Sequence, residues 1–356
     1  MNLVKLSPSA YASFFSSLPC ANFLQSPEMY SRYQSNHTPA FLLGQKNSSG
    51  DIISAALARS SYSRFGRILK LAGGPLLDYD RADALDILNS FLDELKLFAR
   101  SHGFIAVKFS PYLLLTECDN NGAPVTEHRE PSYSALYSSL SARHDLRSLG
   151  EDETAKWIYV IDVAGKSEAE LYSALRRNHK RLIKRAEACI SIRDLSFDEL
   201  PILKKIAAAA GERHGFADPE LSYYEEMFRA FGDHARFRVC EYTDPASGEI
   251  LPIMAAMFLY SGDEIICPYS GSLKEYQHYG APQLLHWEMI KEAHKKGYRR
   301  YNLLGTHPVA GSGVFQFKQG FSGHIDELFG SFLLPVSFRG RLYSLPQHYH
   351  KYGDLH

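Results

Sequence analysis

The chain has 356 residues, 45% apolar and 22% charged, which excludes a disordered, collagen-like or low-complexity protein. Lys and Arg number 39 and Asp and Glu 40, so a net charge of −1 leaves no global footprint for nucleic acid or an anionic membrane, and any such contact must be a local patch. At about 150 residues per domain, the length predicts two domains.

Met1 to Ser26 carries one early lysine and no long apolar core, so it does not read as a signal peptide. No run of about 18 apolar residues follows, and no membrane span is expected. Phe41 to Gly44 and Ile52 to Leu57, joined by Asn47-Ser48-Ser49-Gly50, predict strand, turn, strand. Arg67 to Ala72 predicts another strand, stopped by Gly73-Gly74-Pro75. Between Arg81 and His102, Ala84, Leu85, Leu88, Leu92, Leu95 and Phe98 recur at helical spacing, and Gly103 ends the helix. Phe104 to Phe109 reads as a strand broken by Ser110-Pro111. Asp119 to Lys156 is polar and turn-rich, including Asn120-Asn121-Gly122-Ala123-Pro124 and Glu130-Pro131-Ser132, and the composition puts a domain boundary near Glu153.

The second half repeats this order. Trp157 to Asp162 is a strand, and Ser167 with Glu170 forms a capping-box pattern opening a helix to about Cys189. Ile190 to Arg193 is a strand, and Asp198 to His214 is a helix closed by Gly215. Three strands follow at Arg236–Glu241, Ile253–Tyr260 and Glu264–Tyr269, the first ending in the turn Asp244–Gly248. Gln283 to Lys296 is a helix with Leu284, Leu285, Met289, Ile290 and Ala293 on one face, ended by Gly297, and Tyr301 to Gly305 is a strand. Both halves therefore predict open mixed sheets covered by helices, an α/β (α+β) class, with no residue-level repeat.

Cys20, Cys118, Cys189, Cys240 and Cys267 are scattered singly, which fits reduced, mostly buried thiols of a cytoplasmic protein. His286, His307 and His324 share no ligand spacing, and the His348-x-His350 pair in Gln347-His348-Tyr349-His350 lacks the three or four convergent ligands of a metal site, so no metal is expected. There is no nucleophile elbow, and Ser270 in Tyr269-Ser270-Gly271-Ser272 reads as turn chemistry after a strand. A dinucleotide fingerprint and a Walker A sequence are absent. Arg176, Arg177, Lys180, Arg181, Lys184 and Arg185, with His179 among them, share one predicted helix whose Leu175, Leu182 and Ile183 face the core. Such a run is either a solvated face or a patch for the phosphates of a nucleotide, a lipid pyrophosphate or an RNA backbone. Gln277-His278-Tyr279-Gly280-Ala281-Pro282 nearly matches the Gln/Arg-x-x-Gly-x-Gly/Ala loop that cradles the coenzyme A pyrophosphate in acyltransferases, but Pro282 has no N–H to offer.

The most specific stretch runs from Tyr269 to Pro335. It contains Tyr269-Ser270-Gly271-Ser272, Tyr279-Gly280-Ala281-Pro282-Gln283-Leu284-Leu285-His286-Trp287-Glu288-Met289-Ile290, Gly297-Tyr298, Tyr301-Asn302-Leu303-Leu304-Gly305-Thr306, Gly313-Val314-Phe315-Gln316-Phe317-Lys318-Gln319-Gly320-Phe321 and Gly330-Ser331-Phe332-Leu333-Leu334-Pro335. In order and wording this resembles the Fem family of aminoacyltransferases, which build the branches and cross-bridges of peptidoglycan. Upstream, Phe23-Leu24-Gln25-Ser26, Gly73-Gly74-Pro75, Arg177 to Ala186 and Glu212-Arg213-His214-Gly215-Phe216 also resemble family elements, so the likeness covers nearly the whole chain.

The resemblance implies two acetyltransferase-like (GNAT-like) domains, placed here at 1–153 with 328–356 and at 154–327. No coiled-coil arm is expected, because Met227 to Gly232 leads directly into the Arg236 strand. It implies transfer of an amino acid from aminoacyl-tRNA, with no further cofactor, to an amine of a UDP-MurNAc-peptide or lipid II. The implied location is the cytoplasm, compatible with peripheral contact at the inner membrane face, and no DNA partner is implied. By analogy Lys318 is the catalytic residue beside the reacting ester, and Tyr269 and Tyr223 contact the acceptor, with Phe317 and Tyr279 as further substrate contacts. Arg177, Lys180, Arg181 and Lys184 form the tRNA or phosphate patch. Three departures bear on the acceptor. Ser110 stands before Pro111 where the family often has Asp, and Pro219 stands where some members have a phosphate-binding arginine. Arg32 is the nearest substitute for an N-terminal lysine, so Arg32 and Lys108 become the candidates for phosphate contacts. Two rival readings remain: an acyl-coenzyme A N-acyltransferase, and a non-catalytic binding protein that retains the fold.

Overall fold

The computed structural model describes residues 2–19, 21–126, 133–215, 217–309 and 311–343. Cys20, Glu130-Pro131-Ser132, Phe216 and Gln347-His348-Tyr349-His350 lie outside the described residues.

In chain order the elements are β1 (Leu3–Lys5), α1 (Pro8–Ser16), α2 (Pro27–Ser35), β2 (Ala40–Lys46), β3 (Ile52–Ser63), β4 (Gly66–Gly73), β5 (Leu76–Leu77), α3 (Ala84–Ser101), β6 (Ala106–Pro111), β7 (Leu114–Cys118), α4 (Ser134–Ser141) and β8 (Arg147–Gly150). Then come β9 (Trp157–Asp162), α5 (Glu168–Ala174), α6 (Arg177–Ala186), β10 (Ile190–Asp194), α7 (Leu200–His214), α8 (Leu221–Phe231), β11 (Ala235–Thr243), β12 (Ile250–Ser261) and β13 (Glu264–Ser272). Last are α9 (Ala281–Lys295), β14 (Arg300–Gly305), α10 (Gly313–Gln319), β15 (His324–Leu328), β16 (Ser331–Pro335) and α11 (Phe338–Tyr343). They divide into two compact units. One holds the chain up to Glu117, Pro124–Lys156 and the described residues from Asp326 on; the other holds Cys118–Ala123 and Trp157–Ile325.

The first unit is built on a sheet of order β1-β2-β3-β4-β6-β16-β8, in which β4 and β6 are parallel and α3 is their crossover. Of the stripe anticipated for α3, Ala84, Leu88, Leu92 and Leu95 are buried and Leu85 and Phe98 only half-buried, the buried face being completed by Ile87, Phe91 and Ala99. They pack with Phe109 and Phe332, whose rings stack at 5.3 Å. Each leucine, isoleucine and phenylalanine among them contributes roughly 1.5–3 kcal/mol by leaving water. Ser110 and Pro111 do not break the strand. Pro111 is the last residue of β6, where a ring without an N–H is tolerated at a strand end. The turn-rich segment from Asp119 to Lys156 also contains α4 and β8, which its composition hid.

The second unit's sheet runs β10-β11-β12-β13-β14-β9-β15. The parallel pair β13 and β14 is crossed by α9, whose Leu284, Leu285, Trp287, Met289, Ile290 and Ala293 are buried on the sheet. The Ser167–Glu170 capping box forms reciprocally at the start of α5. The single helix expected to run to Cys189 is instead two. Leu175 and Arg176 are extended (ψ 138° and 147°), and the Arg176 N–H donates to the Gly320 carbonyl at 3.0 Å, so a tertiary partner takes an amide that local propensity would have kept helical. Ser270 lies within β13, not in a turn after it. Helix α8 passes through a single 3-10 turn, Gly232–His234, into β11, so no arm is inserted there. No described helix is long and apolar enough to cross a membrane.

Candidate active site

The two parallel strands of the second unit part company. Glu264–Ile266 of β13 pair with Arg300–Asn302 of β14, and there the ladder stops. Beyond it β13 stays with β12, through Tyr269↔Met257 to Ser272↔Met254, while β14 stays with β9, ending at Gly305↔Ile158. Register shifts in both outer pairings, between Met257 and Leu259 of β12 and between Asn302 and Gly305 of β14, accompany the divergence. Leu304 adopts a left-handed φ of 50°, and its N–H donates to Asn302 Oδ1 at 2.7 Å. The Asn302 amide in turn donates to Glu264 Oε2 at 3.1 Å. Buried Asn302 thus fixes a strained strand end whose carbonyls have left the ladder.

Those carbonyls receive Lys318. Its ammonium donates to Leu303 O at 2.9 Å, to Leu304 O at 3.1 Å and to Gly305 O. Helix α10, opened by the Ser312 side chain accepting from the Phe315 N–H, carries the lysine inward, and only 7% of it is exposed. Burial pulls its pKa down to about 8, outweighing a smaller electrostatic interaction with Cys267 that acts to raise it. Three N–H donors meet three carbonyl acceptors, so the ammonium must release one carbonyl to serve another oxygen.

Across the opening, β13 contributes Cys267 and Tyr269. The thiol is buried and pushed up to about 12, chiefly by burial, against the pull of the Lys318 charge. Half-buried Tyr269 meets Tyr223 of α8 edge-on at 5.5 Å, so the structure brings these two predicted site residues together. Beside them Tyr224 donates to Asp218 at 2.6 Å, and Asp218 is paired with Lys204 at 2.7 Å. Phe317 packs on His286 (5.6 Å), His179 (5.6 Å) and Phe321 (5.3 Å). His286 pairs its Nδ1 with the Tyr301 hydroxyl at 2.6 Å and is pulled down to about 3, by burial and then by the Lys318 charge, so it is neutral.

The other predicted residues fall elsewhere. Tyr279 packs on Tyr242, rings 4.3 Å apart and hydroxyls 3.0 Å apart, with the Arg185 guanidinium over its ring. Next to it, a Cβ on Gly280 would stand 2.5 Å from the Leu182 carbonyl, so α6 covers the turn that opens α9. On α6, Arg177, Arg181 and Lys184 are exposed; Lys180 is half-buried and donates to Ser173 O at 2.6 Å. Among the described residues none of these four is in an ion pair with a carboxylate.

Arg32, Lys108 and Ser110 belong to the first unit. Arg32 lies over the Tyr33 ring at 5.7 Å, and the Ser110 hydroxyl bonds that of Ser331 at 3.0 Å. Lys108, expected at a phosphate, is instead buried and bonded to Asp152 at 2.6 Å, with Glu153 at 3.9 Å. Burial pulls that ammonium down, but its bonds to Asp152 and Tyr343 outweigh burial and leave its pKa above the ordinary lysine value. Sequence reasoning missed Asn302 and His179. Both carried a signal: Asn302 is polar inside an apolar strand, and His179 lies at i−3, i−4 and i−7 from the buried Leu182, Ile183 and Ala186. No group of three or more His, Cys, Asp or Glu that could hold a metal occurs among the described residues.

The model of the FemAB family matches residues 6–244 and 240–351. The chain is 24% identical to "Aminoacyltransferase FemB" of Staphylococcus epidermidis over 89% of this chain and 93% of that protein. The crystal structure of FemX superposes with a TM-score of 0.76 at 15% identity, covering 96% of this chain and 99% of that one. A tandem GNAT protein from the clavulanic acid biosynthesis pathway superposes with a TM-score of 0.57 at 9% identity, covering 94% and 98%. These two structural likenesses give the fold: GNAT-like, with mixed sheets flanked by helices.

Proposed function

The chain belongs to the FemAB family, and from that premise we propose that it is a tRNA-dependent aminoacyltransferase, moving an amino acid from aminoacyl-tRNA to an amine of a peptidoglycan precursor peptide to form an interpeptide bridge or branch. The observation that carries this reading is the parted β13–β14 pair with a buried ammonium on its open side.

The acceptor amine attacks the ester carbonyl carbon. A C–N bond forms, the carbonyl oxygen becomes an oxyanion, and the C–O bond to the ribose then breaks. The amine's proton leaves with the ribose oxygen, carried by the substrates themselves, since no side chain is assigned as general base. Lys318 stabilises the oxyanion by exchanging one of its three carbonyls for it, a contact worth about 3 kcal/mol in such sites. Tyr269 and Tyr223 hold the acceptor peptide, and Phe317 walls the ester from water. The cations of α6 take the phosphates of the donor RNA. The acceptor is a UDP-MurNAc-peptide or lipid II, and the work is cytoplasmic, peripheral to the inner membrane face when the acceptor is lipid-linked.

Two features argue against coenzyme A as donor. Leu182 of α6 fills the space beside Gly280, and Pro282 removes one N–H from the first turn of α9. The test is to incubate the pure protein with a full set of charged tRNAs and each precursor. The expected result is a product heavier by one aminoacyl residue. No mass gain with any tRNA, together with saturable micromolar coenzyme A binding by calorimetry, overturns the reading.

A further inference from the structure

Helix α6 has two faces with different duties. Outward it presents Arg177, Arg181, Lys184 and Arg185, which among the described residues make no ion pair. Inward it is fastened to the segment that carries Lys318. Its first amide, Arg176 N–H, donates to Gly320 O at 3.0 Å. One turn on, the buried His179 bonds through Nε2 to Phe317 O at 2.9 Å; a carbonyl only accepts, so Nε2 carries the proton. The imidazole packs edge-on to Phe321 at 4.7 Å and against Phe317 at 5.6 Å. Gly320 lies flat on the ring: a Cβ there would stand 2.0 Å from His179 Cε1. Burial holds the imidazole at about 4, so it is neutral and the bond persists at physiological pH. Residues on both sides of Lys318, at 317 and 320, are thereby set by α6 and not by α10 alone, which is only two turns long.

The geometry points to His179 as a positioning residue: it registers the cationic helix against Phe317 and Gly320, so that seating RNA phosphates on α6 places the Lys318 ammonium at the ester. This rests on the reading that a charged RNA is the donor. Without the bond the ammonium stays in the protein but drifts from the ester, and a displacement of about 1 Å costs on the order of a hundredfold in rate.

Three variants test it: His179→Leu, which keeps bulk and loses the donor; His179→Gln, which keeps a donor at the ε position; and Gly320→Ala, which pushes the ring aside. The expected result in the transfer assay is that His179→Leu and Gly320→Ala lower kcat between about tenfold and a hundredfold with KM for charged tRNA nearly unchanged, and that His179→Gln recovers most of the rate. Equal kcat in wild type and His179→Leu, or a Gln variant no better than Leu, overturns the proposal. A purely architectural role would lower the amount of folded protein and leave kcat per folded molecule alone. Amide hydrogen exchange on the protein without substrate separates this question from the donor. Faster exchange confined to residues 313–320 in His179→Leu is expected even should no tRNA serve as substrate, and unchanged exchange there contradicts the coupling.

Discussion

Each unit contains a pair of neighbouring strands that separate, and the two gaps are filled differently. In the first unit β3 and β4 pair from Ser63↔Gly66 to Arg59↔Lys70, and beyond that the Gln25 amide stands between them. It donates to Leu57 O at 3.1 Å and Ala72 O at 2.7 Å and accepts from Leu57 N at 2.8 Å, while the Tyr11 hydroxyl donates to the Gln25 backbone carbonyl at 2.7 Å. A neutral group bonds both strands and is wholly buried. The parallel pair beside it, β4 and β6, stays in register from Ile68↔Ala106 through Gly73↔Pro111. In the second unit the equivalent parallel pair opens after Ile266↔Asn302, and the filler is a cation bonded to one strand only. A satisfied amide closes a sheet. An ammonium held by carbonyls on one side keeps a charge that a developing oxyanion can claim. On the proposed function, the first gap is architecture and the second is chemistry.

Breaking the second gap should have the largest effect on rate. Lys318→Met is expected to lower kcat by about a hundredfold or more, from the roughly 3 kcal/mol of lost oxyanion stabilisation, read as initial rates at saturating substrates. Breaking the first gap should move stability instead. Gln25→Leu strands buried groups on Leu57 and Ala72 and should cost on the order of 3 kcal/mol in urea unfolding, with kcat per folded molecule unchanged; a selective loss of kcat would erase the contrast. Third, the reacting form is the ammonium, whose pKa lies near 8 and not at the ordinary lysine value. The ratio of the wild-type rate to that of Lys318→Met, in which the ionisation of the acceptor amine cancels, should be flat below that pH and fall as pH rises through it. A ratio that climbs through pH 8 would instead make the neutral lysine the active species. Fourth, Arg177→Ala with Lys184→Ala should raise KM for charged tRNA and lower the slope of log KM against log salt by about 1–2, with kcat held. Smallest, Tyr269→Phe should raise acceptor KM by a few-fold, since the ring stack with Tyr223 survives and only the hydroxyl is lost.

Most of the regular framework was legible in the residues. The strand Trp157–Asp162, the Ser167 box and the apolar face of α9 follow from alternation, capping and helical spacing, and the structure keeps them. The break between α5 and α6 was not legible, because Leu175 and Arg176 are good helix formers and the group that captures the Arg176 amide is Gly320, far along the chain. Helix α10 is too short and too rich in glycine at its flanks to show a period. Lys318 could be singled out only by family resemblance, since lysine is ordinarily a surface residue and nothing local announces its burial. The partners of Lys108 were not legible either: departures from the family pattern made it a phosphate candidate, and its acids, Asp152 and Glu153, come from a segment read as turn.

The central claim is that a buried ammonium in the parted strands drives aminoacyl transfer. Single-turnover mass spectrometry of the precursor peptide, with charged tRNA and either wild type or Lys318→Met, tests it most directly. The account predicts a gain of one aminoacyl residue with wild type and a slowing of about a hundredfold or more in the variant at undiminished tRNA binding. Equal rates in the two proteins, or no gain with any charged tRNA, would contradict it.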